Sequence, residues 1–115
     1  SFIAPHPFFY GPDMVANLRA TEGHLVHVRL ADTYDHTKSS QLRYVVNPPG
    51  STVRVHQHLD FGQGEIDWDI FFATLAEMQF DGVLSNCVFG WEDRAQDSAR
   101  FMLAETKTYV AKYWQ

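Results

Sequence analysis

The chain has 115 residues, of which 45% are apolar, 20% charged and 15% aromatic, which excludes a disordered polymer and fits one modest folded domain. A net charge of −5 without a basic stripe argues against nucleic acid, because phosphate binding needs clustered Lys and Arg. No apolar run approaches the roughly 18 residues of a membrane span. The start, Ser1-Phe2-Ile3-Ala4-Pro5, lacks the basic n-region of a signal peptide and reads instead as the end of a strand. A single cysteine, Cys87, excludes an internal disulfide and suits a reducing, cytoplasmic setting.

In chain order, Gly11-Pro12-Asp13 opens a short helix that runs to Ala20, with Met14, Val15 and Leu18 as its inner face. Thr21-Glu22-Gly23 ends it. Residues 24–31 alternate as a strand, with Leu25, His27, Arg29 and Ala31 on one face and Val26, Val28 and Leu30 on the other. The apolar face is expected to lie under helices and the polar face to point into a barrel. Residues 32–50 form a long irregular segment, and uninterrupted loops above about 12–15 residues are often functional. An extended segment follows at 52–58, then a glycine-rich turn at Phe61-Gly62-Gln63-Gly64-Glu65. Asp67 caps a helix over 68–79 whose inner face is Ile70, Phe71, Leu75 and Met78, and Asp81-Gly82 stops it. Residues 83–89 are apolar almost throughout, as in a buried parallel strand. A last helix covers 93–113.

Strands that alternate with helices imply a parallel α/β sheet, whose chemistry sits at the carboxyl ends of the strands. Two regions qualify: His27, Arg29 and the segment 32–64 on one strand, and 87–94 on the other. No glycine-rich phosphate loop of the Rossmann or Walker type is present.

Several blocks carry a resemblance. The run from His56 to Trp68, Val26-His27-Val28-Arg29-Leu30-Ala31-Asp32, and Phe80-Asp81-Gly82 are similar to xylose-isomerase-like TIM barrels. More narrowly, Ala31-Asp32-Thr33-Tyr34-Asp35-His36, then 42–50, then Cys87-Val88-Phe89-Gly90-Trp91-Glu92-Asp93-Arg94-Ala95 resemble the IolH type of myo-inositol catabolism protein. The resemblance runs from about Pro5 to Val110. It implies the C-terminal portion of a (β/α)₈ barrel, since a whole one needs roughly 250 residues. The expectation is therefore a fragment, or a half-barrel that pairs with another chain as a homo-oligomer.

The resemblance also implies a divalent metal (Mn, Co or Mg) that polarises a carbonyl while a carboxylate moves the neighbouring proton on a polyol or keto-sugar substrate. In the family the metal histidine is the second of an H-x-H; that position is Arg29 here, and His27 holds the first. The family's last metal glutamate falls on Cys87, and the next carboxylate is Glu92.

Each candidate has two readings. His27 is a metal or substrate contact, or an inner-face histidine held by a hydrogen bond. Arg29 binds a carboxylate, phosphate or polyol oxygen, or pairs with an acid on a neighbouring strand. His56 and His58 share one side of an extended segment; they contact substrate or backbone more readily than zinc, for want of further nearby ligands. Glu92 is an acid/base group, or a first-turn carboxylate favoured by the helix dipole. Cys87 reads as packing. Asp32 reads as a loop residue that holds backbone amides. The aromatic residues Trp68, Phe71, Phe72, Trp91, Tyr109 and Trp114 read as core or interface. The working assignment is Glu92 as catalytic, Arg29, His56 and His58 as substrate-binding and His27 as metal ligand, in an isomerase or epimerase of inositol-derived keto polyols. The rival is an accessory barrel protein that has lost the metal.

Overall fold

The computed structural model describes residues 1–10, 13–34, 58–89 and 92–115, with backbone alone at 9, 10 and 92. The elements are β1 (Phe2–Ile3), α1 (Pro5–Tyr10), α2 (Met14–Arg19), β2 (His27–Leu30), α3 (Trp68–Glu77), β3 (Val83–Asn86), a 3₁₀ turn (Glu92–Arg94) and α4 (Ala95–Tyr113). The strands form a parallel sheet in the order β1-β2-β3. Phe2 lies beside Val28 and Ile3 beside Arg29. His27 lies beside Val83, Arg29 beside Ser85 and Leu30 beside Asn86. The start of the chain is thus a strand end, as expected, and it is the sheet's first strand.

In a strand, neighbouring side chains point to opposite faces. One face carries Phe2, Val28, Leu30 and Leu84 and packs on the helices. Val28, Leu30, Leu18, Phe71, Phe72, Leu75 and Met102 have no exposed surface. Aromatic rings fill the space between α3 and α4: Phe72 stacks on Tyr109 at 4.6 Å, and Trp68 meets Phe61 edge-on at 4.4 Å. Trp114 donates from Nε1 to the Phe80 carbonyl at 2.9 Å. These aromatics are core, as expected; Trp91 lies outside the described residues.

Several expectations change. Strand β2 covers only 27–30, because Ala31 and Asp32 leave the sheet to meet another segment. Strand β3 ends at Asn86 and is half-exposed rather than buried, with Val83 61% exposed, because helices cover only one face of the sheet. Val15 and Ile70 point outward, at 39% and 49% exposure; the inner stripe of α2 is Met14 and Leu18, and that of α3 is Phe71, Phe72 and Leu75. Helix α2 begins at Met14 with Asp13 as its cap, Oδ1 accepting from the Ala16 amide at 3.0 Å. Helix α1 was not signalled by periodicity, with two prolines in six residues.

Candidate functional site at the strand ends

The carboxyl end of β2 is organised by Asp32, which is fully buried. Its Oδ1 accepts from the amides of Thr33 at 2.9 Å and Ile66 at 3.2 Å. Its Oδ2 accepts from the Gly62 amide at 2.9 Å and from Trp68 Nε1 at 3.0 Å. Burial pushes this carboxyl above its ordinary range, against the pull of those donors. The expected role as a holder of loop amides is what the structure shows. The glycine-rich turn fits closely around it: Gly62 has φ +83, and a Cβ on Gly64 would lie 2.3 Å from the Thr33 carbonyl oxygen.

The turn delivers His58 to the strand ends. Leu59 and Asp32 exchange both backbone hydrogen bonds, at 2.8 and 2.9 Å, and the Phe89 amide donates to the His58 carbonyl at 3.3 Å. His58 is 2% exposed. Its Nδ1 lies 2.8 Å from the Cys87 carbonyl, which can only accept, so Nδ1 carries the proton. The ring stacks on Phe89 at 4.0 Å and meets His6 edge-on at 5.5 Å. Burial pulls the His58 pKa down to about 4, helped by the charge of His6 and opposed by the Cys87 carbonyl. His6 is also pulled down, first by burial and then by the charge of Arg29. Both imidazoles are therefore neutral near pH 7.

Arg29 stands on the sheet face that lacks helices, between Ile3 and Ser85, and the Ala4 amide donates to its carbonyl at 3.0 Å. Beyond β3, buried Asp60 accepts from Ser98 Oγ and pairs with Arg94 at 3.6 Å. An open cleft of about 270 Å³ lies beside it, lined by Asn86, Val88, Phe89, Ser98 and Met102 among others.

With that geometry in place, the comparisons with known proteins bear on it. The family model described as xylose isomerase-like TIM barrel matches residues 2–105. The chain belongs to the xylose isomerase-like TIM barrel family. No curated protein and no solved structure matches it significantly. The family includes sugar isomerases and epimerases and often uses divalent metals.

The sequence-derived candidates divide. Arg29 and His58 lie toward the carboxyl ends of the strands. His27 lies at the amino end of β2, where Nε2 meets Ser85 Oγ at 2.7 Å. His56 and the side chain of Glu92 fall outside the described residues. Cys87 is partly buried, and its amide donates to the Leu30 carbonyl at 2.8 Å. Among the described residues no three His, Cys, Asp or Glu side chains gather closely enough to hold a metal ion. Asp32 and Asp60 are committed to other partners, and Arg29 and Cys87 occupy the positions where the resemblance puts ligands. The described residues therefore do not fit the family's metal. They also include no helix long and apolar enough to cross a membrane.

His6 escaped the sequence reading. It follows the strand end at Phe2–Ile3 by three residues, and the strand-end rule applied to β1 would have found it.

Proposed function

We propose that the chain is the C-terminal wall of a barrel that binds a sugar- or inositol-derived keto polyol and moves the proton next to its carbonyl. The family supplies the isomerase or epimerase class, and the three sequence blocks at 31–36, 42–50 and 87–95 favour the myo-inositol catabolism branch. The observation that carries the reading is that Arg29 and the edge-on ring pair of His6 and His58 stand toward the carboxyl ends of parallel strands, where such barrels place their chemistry. Arg29 offers fixed positive charge to an oxygen of the substrate. The exposed imidazole of His6 offers hydrogen bonds to hydroxyls without competing for that charge, and buried His58 packs behind it edge-on. Glu92, which follows β3 in sequence, is the proposed proton acceptor.

The test is deuterium exchange at the carbon beside the carbonyl of a keto-inositol, followed by NMR in D₂O, with and without chelator. The expected result is exchange by the wild type, reduced about 100-fold in Glu92→Gln. A second reading is an accessory protein that binds the polyol without reaction. The lack of a metal-ligand cluster among the described residues favours it. Binding without exchange in every metal condition would replace the first reading with the second.

A further inference from the structure

We propose that Arg29 and Ser85, with His27 as the positioning residue behind Ser85, form the electrophile that polarises the substrate carbonyl, in place of a divalent ion. This deepens the proposed function and rests on that reading for the carbonyl.

When the carbon beside a carbonyl loses its proton, negative charge gathers on the carbonyl oxygen and must be stabilised there. The described residues are poorly suited to do this through a cation. Arg29 and Cys87 stand where the resemblance puts a histidine and a glutamate, and a guanidinium cannot ligate. The buried carboxylates Asp32 and Asp60 are held by other donors. What the open sheet face does supply is hydrogen-bond donors. Arg29 on β2 and Ser85 on β3 are partners in the parallel register. Their side chains therefore leave the same face side by side, on strands about 4.8 Å apart. Arg29 is exposed, and none of the described carboxylates pairs with it.

His27 decides what Ser85 can do. It lies on the same face, one alternation nearer the amino end of β2, and its Nε2 is 2.7 Å from Ser85 Oγ. A serine hydroxyl has one hydrogen and two lone pairs. With the imidazole hydrogen on Nε2, His27 donates to Ser85 Oγ, and the serine's own hydrogen is left for the open face beside the guanidinium. A carbonyl oxygen has two lone pairs and can accept from both donors. The charged guanidinium makes the stronger bond, and the hydroxyl fixes the direction of the second. As Glu92 takes the proton from the neighbouring carbon, the C–H electron pair becomes the C=C bond. The carbonyl π pair moves onto the oxygen, between Arg29 and Ser85. On return, that pair re-forms the carbonyl and Glu92 gives the proton back to carbon, so no further reactant is consumed.

The experiment is isotope-edited infrared spectroscopy of the full protein with a keto-inositol ¹³C-labelled at the carbonyl, in chelator, with deuterium exchange followed on the same samples. The bound carbonyl stretch is expected at lower frequency than in water, and added Mn²⁺ should not move it. Arg29→Gln and Ser85→Ala should each lose part of that shift and lower exchange about 100-fold, in kcat more than in KM. Ser85→Thr keeps the hydroxyl and should recover part of the loss. His27→Leu should behave as Ser85→Ala does, and His27→Gln, whose amide can donate to Ser85, should recover part. ¹⁵N NMR should place the His27 hydrogen on Nε2. A bound carbonyl that stays at its solution frequency overturns the proposal, as does one that shifts only when the metal is added. A shift unchanged in both Arg29→Gln and Ser85→Ala overturns it too. A His27 hydrogen on Nδ1, with Nε2 accepting from Ser85, reduces the pair to an inner-face hydrogen bond and removes Ser85 from the electrophile. The two readings fail separately. Exchange that requires added metal keeps the proposed reaction and ends this electrophile, whereas a polarised carbonyl without exchange keeps the electrophile and ends the reaction.

Discussion

A buried carboxylate that accepts from four donors cannot be exchanged for an amide without cost, because the amide nitrogen must face one of those donors. Asp32→Asn is therefore expected to lower stability by about 2–4 kcal/mol in urea unfolding, with the turn at 61–66 loosened first. His58 gives a second prediction at this scale. Its folded-state pKa of about 4 lies below the ordinary 6.5, so the folded protein resists a proton that the unfolded chain takes up. The resulting stability is fully present above about pH 6.5 and is lost as the pH falls toward 4, by roughly 2–3 kcal/mol. Beside burial, the groups that act on His58 include the Cys87 carbonyl and His6. Asp32, pushed up by burial, acts in the opposite sense near the carboxylate range, so the difference between wild type and His58→Gln isolates the histidine. Chemical denaturation at pH 7, 6 and 5 should show a slope in the wild type that flattens in the variant. The role of Asp32 was legible in the sequence because a short acid at the end of a strand has few alternatives. The packing of His58 edge-on to His6 and stacked on Phe89 was not, because it joins three segments that nothing local connects.

At the scale of elements, the punctuation of the chain is only partly what its residue types suggest. Helix α3 starts where Asp67 caps it, with Oδ1 accepting from the Ile70 amide at 3.0 Å, and that signal was plain. It ends before Asp81-Gly82. Gln79 adopts φ +55, its amide donates to the Ala76 carbonyl at 2.9 Å and the Phe80 amide to the Leu75 carbonyl at 3.1 Å. This is a Schellman ending built on glutamine, where glycine is the usual residue. The pattern of residue types pointed to the nearest glycine, Gly82, and the backbone turned three residues earlier. Gln79→Gly is expected to raise stability by about 0.5–1 kcal/mol in thermal or urea unfolding, since only a side-chain strain is removed. Gly64→Ala should do the reverse. Its new methyl would press on the backbone of Thr33 and on Asp32, neither of which can move without disturbing the four-donor cluster. A loss of about 1–3 kcal/mol or more is expected. A Gly64→Ala variant that matches the wild type would mean that the close fit of this turn to Asp32 is wrong.

At the scale of the molecule, one face of the three-stranded sheet is covered and the other is not. Phe2, Val28 and Leu30 are under helices, whereas Arg29 is exposed, Val83 is 61% exposed and His27 and Ser85 are half-buried among the described residues. The alternation made this division readable over 27–30, where His27 and Arg29 fall on one face and Val28 and Leu30 on the other; Val26, expected under the helices, precedes the strand and is 69% exposed. The sequence could not reveal what meets the open face, since that depends on strands outside the described sheet. In a closed barrel those residues form interior layers packed against the opposite strands. An edge such as β3, which pairs on one side only among the described residues and carries an exposed valine, otherwise invites pairing. The 115 residues taken by themselves are therefore expected to associate, with a light-scattering mass above the 13.2 kDa of one chain. Val83→Lys places a charge in the layer that must become dry, beside His27 in the register. It should return the mass to that of one chain while the circular dichroism of the helices is retained, because the covered face is untouched. A wild-type chain that unfolds cooperatively as a monomer would instead mean that the open face is stable in water. In that case the site at the strand ends would be complete on this chain alone.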